Sequence, residues 1–486
     1  MANGNSETRA RGNPGVTNRV PKQPSLAQAL RFWWKFGWIS FGGPAGQIAI
    51  LHQELVERQA WVSEASFLHA LNFCMLLPGP EAQQLATYLG WLMHRTLGGV
   101  LAGLLFILPS LLILTALSWV YLALGELPAI GGMFRGIQPV VVAIVALAIQ
   151  RMARKALKTP LAWTIAAASF GGSYLLGLPF PVLVAAAALA GWLGGRAPRR
   201  PASAAAPASQ AQRPARAQAG KAPAEDAQPT AATGANAALQ QAGAELAAPT
   251  RFSLSRLAAV CAVFALLWLL PMGALVWHGG WESTLTQMGR FFTQVALLTF
   301  GGAYAVLPYV LDGAVHHYAW LSAPQMIDGL ALGETTPGPL IMVVAFVGFV
   351  GAHTHAVLGP EHLWLGAALG ACVVTWFTFL PSFFFILAGG PWVESTRENP
   401  GVASALAGVT AAVVGAMLQM GVYFAAHVLW PGAQPGAPLT GTLTGTPLNW
   451  PAAGVMVLAA VALQRGRSVL EVLGAGALLG LAAGLL

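Results

Sequence analysis

Long apolar runs separated by short polar stretches dominate the chain. Leu97 to Gly125, Leu257 to Trp277 and Ala367 to Gly390 each reach the roughly 20 residues that a bilayer-spanning helix needs. The pattern predicts helices over 26–46, 65–99, 100–124, 133–150, 160–177 and 179–195 in the first half. An extra helix is predicted over 255–277, followed by 286–311, 325–352, 363–390, 402–429, 450–464 and 468–486. The polar punctuation divides the chain into a tail (1–25), a first repeat (26–195), a linker (196–254), a linking helix (255–277), a second repeat core (285–429) and a last pair of helices (450–486). The linker is rich in Ala, Pro, Gln and Gly. It has too little hydrophobic bulk to fold, and it is expected to be disordered, as is the tail.

Four landmarks recur at a constant spacing of 259 residues. Arg31-Phe32 returns as Arg290-Phe291, Phe41-Gly42-Gly43 as Phe300-Gly301-Gly302, Trp61 as Trp320, and Pro78-Gly79-Pro80 as Pro337-Gly338-Pro339. Beyond them the spacing becomes 272, where Leu108-Pro109-Ser110 matches Leu380-Pro381-Ser382 and Gly136 matches Gly408. The step of 13 residues is an insertion around His353 to Leu363 in the second copy. Helix-breaking motifs written twice inside apolar segments mark a secondary transporter assembled from two repeats. The expected fold is an all-α polytopic membrane protein. It has two homologous repeats of about six helices each plus one linking helix, about 13 spans in all, some of them discontinuous.

If each copy crosses six times, the linking helix starts the second copy on the opposite face, and the halves are inverted. Arg95 follows the first Pro-Gly-Pro segment, and Arg151, Arg154, Lys155 and Lys158 follow 133–150, whereas no Lys or Arg lies between Arg290 and Arg397. That asymmetry is what the positive-inside rule asks of inverted copies with a cytoplasmic N-terminus. Segment 65–99 is read as crossing, because a hairpin there would move Arg151 to Lys158 to the outer face.

Composition narrows the class. The chain is 56% hydrophobic and 9% charged, against roughly 25% charge in soluble domains, so a soluble core is excluded. The stretch up to Pro24 is polar and has no apolar run, which argues against a cleavable signal peptide and makes the first membrane helix the signal. Cys74, Cys261 and Cys372 each stand alone in apolar sequence and offer neither a disulfide framework nor a CxxC metal site. Much of the formal charge of +8 lies in the tail and in the loop 196–256, where it reads as topology and not as nucleic-acid binding. The sequence carries no HExxH, which argues against an intramembrane zinc protease, and no P-loop, so ATP hydrolysis on this chain does not drive it. No cofactor and no metal are expected.

The breaks carry the candidate chemistry. Proline removes an N–H and clashes with the preceding turn, and glycine supplies the dihedrals a break needs, so a half-helix begins just after Pro80, inside the membrane. Its first N–H groups, on Glu81, Ala82 and Gln83, carry roughly half an elementary positive charge and make a ready anion site. The second copy offers Leu340, Ile341 and Met342 in the same place, with Thr335 and Thr336 just ahead. A single break reads most plainly as a packing kink; a matched pair shifts the balance toward substrate contact. The candidate substrate-binding residues are therefore Gly42, Gly43, Pro78, Gly79, Pro80, Gln83, Gly301, Gly302, Thr335, Thr336, Pro337, Gly338 and Pro339.

The Phe-Gly-Gly pairs serve either as hinges open to a ligand or as close packing points. Trp61 and Trp320 read as interfacial anchors. Arg31 and Arg290 either snorkel to the interface or draw anions into the vestibules. Glu81 and Glu334 sit beside the breaks, where a carboxylate costs ~2.5–3.5 kcal/mol to insert, which makes either a coupling candidate. The copies are not matched there, since Leu340 stands at the place of Glu81. His353, His355, Glu361 and His362 form a ligand-rich group in the insertion, read as a solvated loop in preference to a metal site.

The stretch FGGPAGQIAILHQELVERQAW…LLPGPEAQQLATYLGW…FILPS, from Phe41 to Ser110, resembles the chromate ion transporter family. FGGAYAVLPYV…W…TTPGPLIMVVAFVGF…FLPS, from Phe300 to Ser382, is similar to that family's second domain. The ordered set Phe-Gly-Gly, Trp, Pro-Gly-Pro, Leu-Pro-Ser, met twice, carries the resemblance. It leaves out the tail, the linker and the last two helices. It implies a two-domain secondary transporter of the bacterial inner membrane that exports chromate and confers resistance to it. It also implies that Gly42, Gly43, Pro78, Gly79, Pro80 and their second-copy partners belong to family motifs, while the His-bearing insertion departs from the pattern. The expectation is an efflux carrier for a tetrahedral dianion, chromate first, working by alternating access of inverted halves. A sulfate or other oxyanion exchanger is the second reading and a passive channel a third, which saturation and counter-transport would separate from a carrier; a membrane-embedded enzyme is a remote alternative. The partners expected are the oxyanion and membrane lipid, with a homo-oligomer left open.

Overall fold

The computed structural model describes residues 23–125, 127–195, 254–396, 400–431 and 447–485. The tail and linker expected to be disordered fall almost wholly outside them. Among the described residues every regular element is a helix. Glu81–Leu124, Pro128–Ala156, Leu254–Gly279, Pro360–Gly389 and Ala403–Leu429 are long and apolar enough to cross a membrane, and shorter apolar helices accompany them. The described residues are all-helical, and the chain is a multi-pass membrane protein.

The first repeat opens with α1 (Leu26–Ile39) and α2 (Gly43–His52) on either side of Phe-Gly-Gly, where Gly42 and Gly43 take φ of 92° and 68°. A straight helix through 26–46 would carry Trp61 far from Phe32, yet their rings lie 5.8 Å apart. The chain has folded back. α3 (Glu64–Cys74) and α4 (Glu81–Leu124) repeat the move around Pro-Gly-Pro, bringing the Phe73 and Tyr88 rings to 5.1 Å. There follow α5 (Pro128–Ala156), α6 (Pro160–Leu176), α7 (Phe180–Gly195) and the linking helix α8 (Leu254–Gly279).

In the second repeat α9 (Thr284–Leu298) turns back into α10 (Ala303–Leu311), and Tyr309 Oη donates to Gln294 Oε1 at 3.0 Å across the two arms. α11 (Ala323–Thr335) turns back into α12 (Val343–Thr354), so closely that a Cβ on Gly329 would strike the Phe346 ring. The expected single segments 26–46, 65–99, 286–311 and 325–352 are thus helical hairpins, and the crossing reading of 65–99 is replaced. Glycine on one arm leaves room for a large side chain on the other, and that packing decides the direction of the returning helix.

α4 is two helices joined at a sharp break, His94 (φ −136°, ψ 32°) and Arg95 (φ 52°, ψ −148°). Its first part is the returning hairpin arm; its second runs back alongside, where a Cβ on Gly103 would come to 2.5 Å from Thr87 Oγ1. α12 and α13 (Leu363–Thr396) pack the same way through Gly348 and Gly370. The insertion joins them, with His355, Glu361 and His362 exposed and the His353 ring 4.7 Å from that of Trp364.

The last helices of each repeat pack on the other repeat. α6 and α7 lie against α14 (Pro400–Leu429), while α15 (Trp450–Gln464) and α16 (Val469–Leu485) lie against α5. A Cβ on Gly136 would stand 2.7 Å from Gly480 Cα, and one on Gly408 3.0 Å from Gly191 Cα. The matched glycines of the two copies are therefore crossing points where backbones approach closely. Trp320 is 1% exposed, stacked on Tyr318 and edge-on to Phe291. It is a core residue of the α9–α10 hairpin and not an interfacial anchor, because the folded-back arms enclose it.

Candidate functional site

The hairpin tips meet crosswise. The Gly79 N–H donates to the Thr299 carbonyl at 2.7 Å, and the Gly338 N–H to the Ser40 carbonyl at 3.1 Å. Each Pro-Gly-Pro is thus tied to the residue before the other copy's Phe-Gly-Gly. The serine of each Leu-Pro-Ser completes the exchange: Ser382 Oγ stands where a Cβ on Gly79 would be, and Ser110 Oγ stands 3.1 Å from where a Cβ on Gly338 would be. Both glycines are required twice over, by φ of 131° and 104° and by the lack of room for a side chain.

The helices that leave these tips are uncapped. Pro80 and Pro339 occupy the N-cap positions and offer no side-chain acceptor to the first turn. In the second copy a 3₁₀ turn, Leu340–Met342, tightens the start, with the Met342 N–H donating to Pro339 O at 2.9 Å. Around the tips Ser40, Gln83, Gln84, Ser110 and Ser382 are 0% exposed. Yet the Oγ of each serine and the Oε1 of each glutamine have no hydrogen-bond partner. Buried polar groups in folded proteins are overwhelmingly paired. Several unpaired ones beside two bare helix starts leave hydrogen-bonding capacity at the tips that the described residues do not fill.

Some of the side chains are held in place by their other atoms. Gln84 Nε2 donates to Pro78 O at 2.7 Å, and Gln47 Nε2 to Gly338 O at 2.5 Å and Ser40 O at 3.2 Å. Gln83 Nε2 donates to Thr87 Oγ1 at 2.9 Å.

The structure brings together most, but not all, of the residues expected from sequence. Gly79 and Gly338 line the tips, with Pro78, Pro80, Pro337 and Pro339 as their flanks and Gln83 one turn in. Gly301 and Gly302, at φ of 84° and 99°, form the second Phe-Gly-Gly turn. Thr335 and Thr336 differ: their hydroxyls donate to Leu332 O at 2.9 Å and Gly333 O at 3.1 Å, closing the end of α11. Arg31 and Arg290 are exposed and precede Ser40 and Thr299 by nine residues, about 13 Å along a helix. Arg31 instead lines an open groove between α1 and the segment 50–61 with Lys35, Glu54 and Trp61.

The two acids converge on one turn from different copies. Glu334 accepts a hydrogen bond from Tyr304 Oη, and a Cβ on Gly302 would stand 3.9 Å from Glu81 Oε1. Arg151 lies within electrostatic reach of Glu334, and Lys155 of Glu81. Sequence reading missed Ser40, Gln47, Gln84 and Tyr304. It noted Ser110 and Ser382 only as repeated letters, with no reason to aim them at the breaks. It also missed Asp328, 4% exposed, which accepts from Tyr121 Oη at 3.0 Å and Gln138 Nε2 at 2.9 Å.

Paired helical hairpins meeting tip to tip inside a multi-pass bundle define a membrane protein with an internal polar site. The chromate transporter family matches residues 27–192 and 286–481. The chain belongs to the chromate transporter family, and the match runs through the last two helices, which the resemblance of the motifs alone leaves out. It is 31% identical over 424 residues to the chromate transport protein of Pseudomonas aeruginosa, covering 85% of each chain. It is 28% identical over 394 residues to that of Cupriavidus metallidurans, covering 81% of each. A probable chromate transport protein of Synechococcus elongatus is 28% identical over 394 residues, 81% of this chain and 83% of that one. No solved structure matches.

Proposed function

We propose that the protein is a secondary carrier that exports chromate across the bacterial inner membrane and so confers resistance to it. Family membership supports the substrate. The observation that carries the site is the cluster of unpaired, fully buried hydroxyl and amide oxygens beside two uncapped helix starts. Such starts attract an anion through N–H dipoles without a buried Lys or Arg, and anionic substrates sit at half-helix starts in other carriers of inverted-repeat design.

The halves are inverted, with the N-terminus cytoplasmic. Both early hairpins return to the side they entered from, so they leave the parity unchanged. α4 and α5 then cross and return, which keeps Arg95 and Arg151 to Lys158 on the cytoplasmic side, as the positive-inside rule asks. α8 crosses alone and starts the second copy outside, where no Lys or Arg follows Arg290 until Arg397. Labelling of Lys155→Cys from the cytoplasm and of His355→Cys from the periplasm is the expected pattern; labelling of both from one side rejects it.

The test of function is uptake of chromate, sulfate and molybdate into inside-out vesicles, each as substrate and as competitor. Saturable chromate uptake that the others inhibit weakly is expected. Uptake that requires sulfate on the opposite side would replace export by oxyanion exchange.

A further inference from the structure

We propose that Ser110 and Ser382 are the hydroxyl donors that bind and select the transported oxyanion, each serving the Pro-Gly-Pro break of the opposite copy; this rests on the transport function proposed above. Both serines are 0% exposed, and neither Oγ has a partner. Their neighbours show that a hydroxyl in these helices ordinarily finds one. Ser118 Oγ donates to Leu114 O at 2.6 Å, and Thr378 Oγ1 to Val374 O at 2.7 Å, each within its own helix. Ser110 and Ser382 do not turn back in this way. They face Gly338 and Gly79 instead, two residues before Leu340 and Glu81, where the helices start without a side-chain cap.

A serine hydroxyl beside a bare helix start adds a rotatable donor to a fan of fixed ones. That is the arrangement a tetrahedral oxyanion requires, since its oxygens diverge and a planar fan of N–H groups cannot reach them all. Gln83 adds to the first break. Its only amide partner is the Thr87 hydroxyl, which can donate as well as accept, so the amide can turn to present its NH₂ to the anion. Gln47 and Gln84 cannot turn, because their amide nitrogens donate to carbonyl oxygens. They are positioning residues.

The exchange also couples the copies. An anion held by the first-turn N–H groups after Pro80 and by Ser382 ties the α3–α4 hairpin of one repeat to α13 of the other. Ser110 does the reverse for α12 and α4.

The experiment replaces each serine by alanine and reads three quantities on the full-length protein: chromate KM and Vmax in inside-out vesicles, the melting temperature without ligand, and its rise with chromate. A buried unpaired hydroxyl that only fills space is better removed than kept, so a purely structural serine gives an unchanged or higher melting temperature and unchanged KM. A ligand hydroxyl gives the same unchanged or higher ligand-free melting temperature, but a KM raised roughly tenfold or more and a reduced rise with chromate. Ser118→Ala, whose hydroxyl is bonded to its own helix, should leave KM unchanged. Parent-like KM and parent-like chromate response in both Ser110→Ala and Ser382→Ala overturn the inference alone. A parent protein that neither takes up chromate nor melts higher with it overturns the transport function, and the inference with it.

Discussion

The two break clusters share a frame and differ in lining. Gly79 and Gly338, Ser40 and Thr299, and Ser110 and Ser382 occupy equivalent places and make equivalent contacts. Around that frame the first copy is polar and the second apolar. Glu81, Gln83 and Gln84 at the start of the α4 arm correspond to Leu340, Met342 and Val343 in the second copy, and Gln47 corresponds to Val306. Every residue from Leu340 to Ala352 is buried. What is common to both copies fixes backbone against backbone. What differs gives the first break more polar side chains than the second, so under the proposed transport function the first break should contribute more to holding the anion, with Ser110 the main polar side chain facing the second.

Substitutions at the shared frame should have the largest effect. Gly79→Ala and Gly338→Ala each force a side chain into occupied space at a φ that disfavours one, and overpacking alone costs about 1–3 kcal/mol. Both should lose chromate uptake in vesicles, with a lowered melting temperature; a silent Gly338→Ala would confine the frame to the first copy. Pro80→Ala and Pro339→Ala should lower uptake strongly while leaving membrane insertion intact, because each restores an N–H and lets the half-helix extend through the break. If both behave like the parent protein, the breaks are packing kinks only.

The unequal lining predicts an unequal response. Gln83→Leu should lower uptake about tenfold, the value of one hydrogen bond to a charged group, whereas Met342→Leu should stay within about twofold. Equal losses would show that the polar character of the first break is incidental.

The energy source should depend on the membrane potential. Moving one charge through 100 mV is worth ~2.3 kcal/mol, so a dianion leaving a negative interior gains roughly 4.6 kcal/mol, about a thousandfold gradient. Chromate uptake into inside-out vesicles, with the potential clamped by potassium and valinomycin at constant pH, should follow the clamp. Uptake that ignores it and follows a pH difference would mean electroneutral exchange, with Glu81 and Glu334 as coupling groups. Glu81→Gln and Glu334→Gln should then lose the pH response.

The smallest effect is expected at the arginines. Arg31→Gln and Arg290→Gln lie outside the tips and should change uptake by no more than about threefold, through long-range attraction that fades as salt rises toward a Debye length of about 8 Å. A loss independent of salt would place either residue in contact with the anion.

The repeated motifs made the breaks legible, because glycine and proline act on the local backbone wherever they occur. Gly79 and Gly338 were found this way, and so were the bare N–H groups after Pro80. Ser110 and Ser382 stood in plain view in the same repeats, but a serine in an apolar helix ordinarily bonds to its own backbone, and nothing local says otherwise. Asp328 was less legible still, since its partners Tyr121 and Gln138 lie 207 and 190 residues away.

Membrane residence, duplication, the position of each break and the polarity of each half-helix start follow from residue order alone, because hydropathy and backbone stereochemistry are local properties. The direction the chain takes after a break does not. A glycine permits a turn without choosing it; the choice came from the fit of Phe346 against Gly329 and of Phe291 against Gly313 across hairpin arms. The crosswise meeting of the tips likewise belongs to tertiary structure, since the Gly79 to Thr299 and Gly338 to Ser40 hydrogen bonds join segments that only the packed bundle brings within reach.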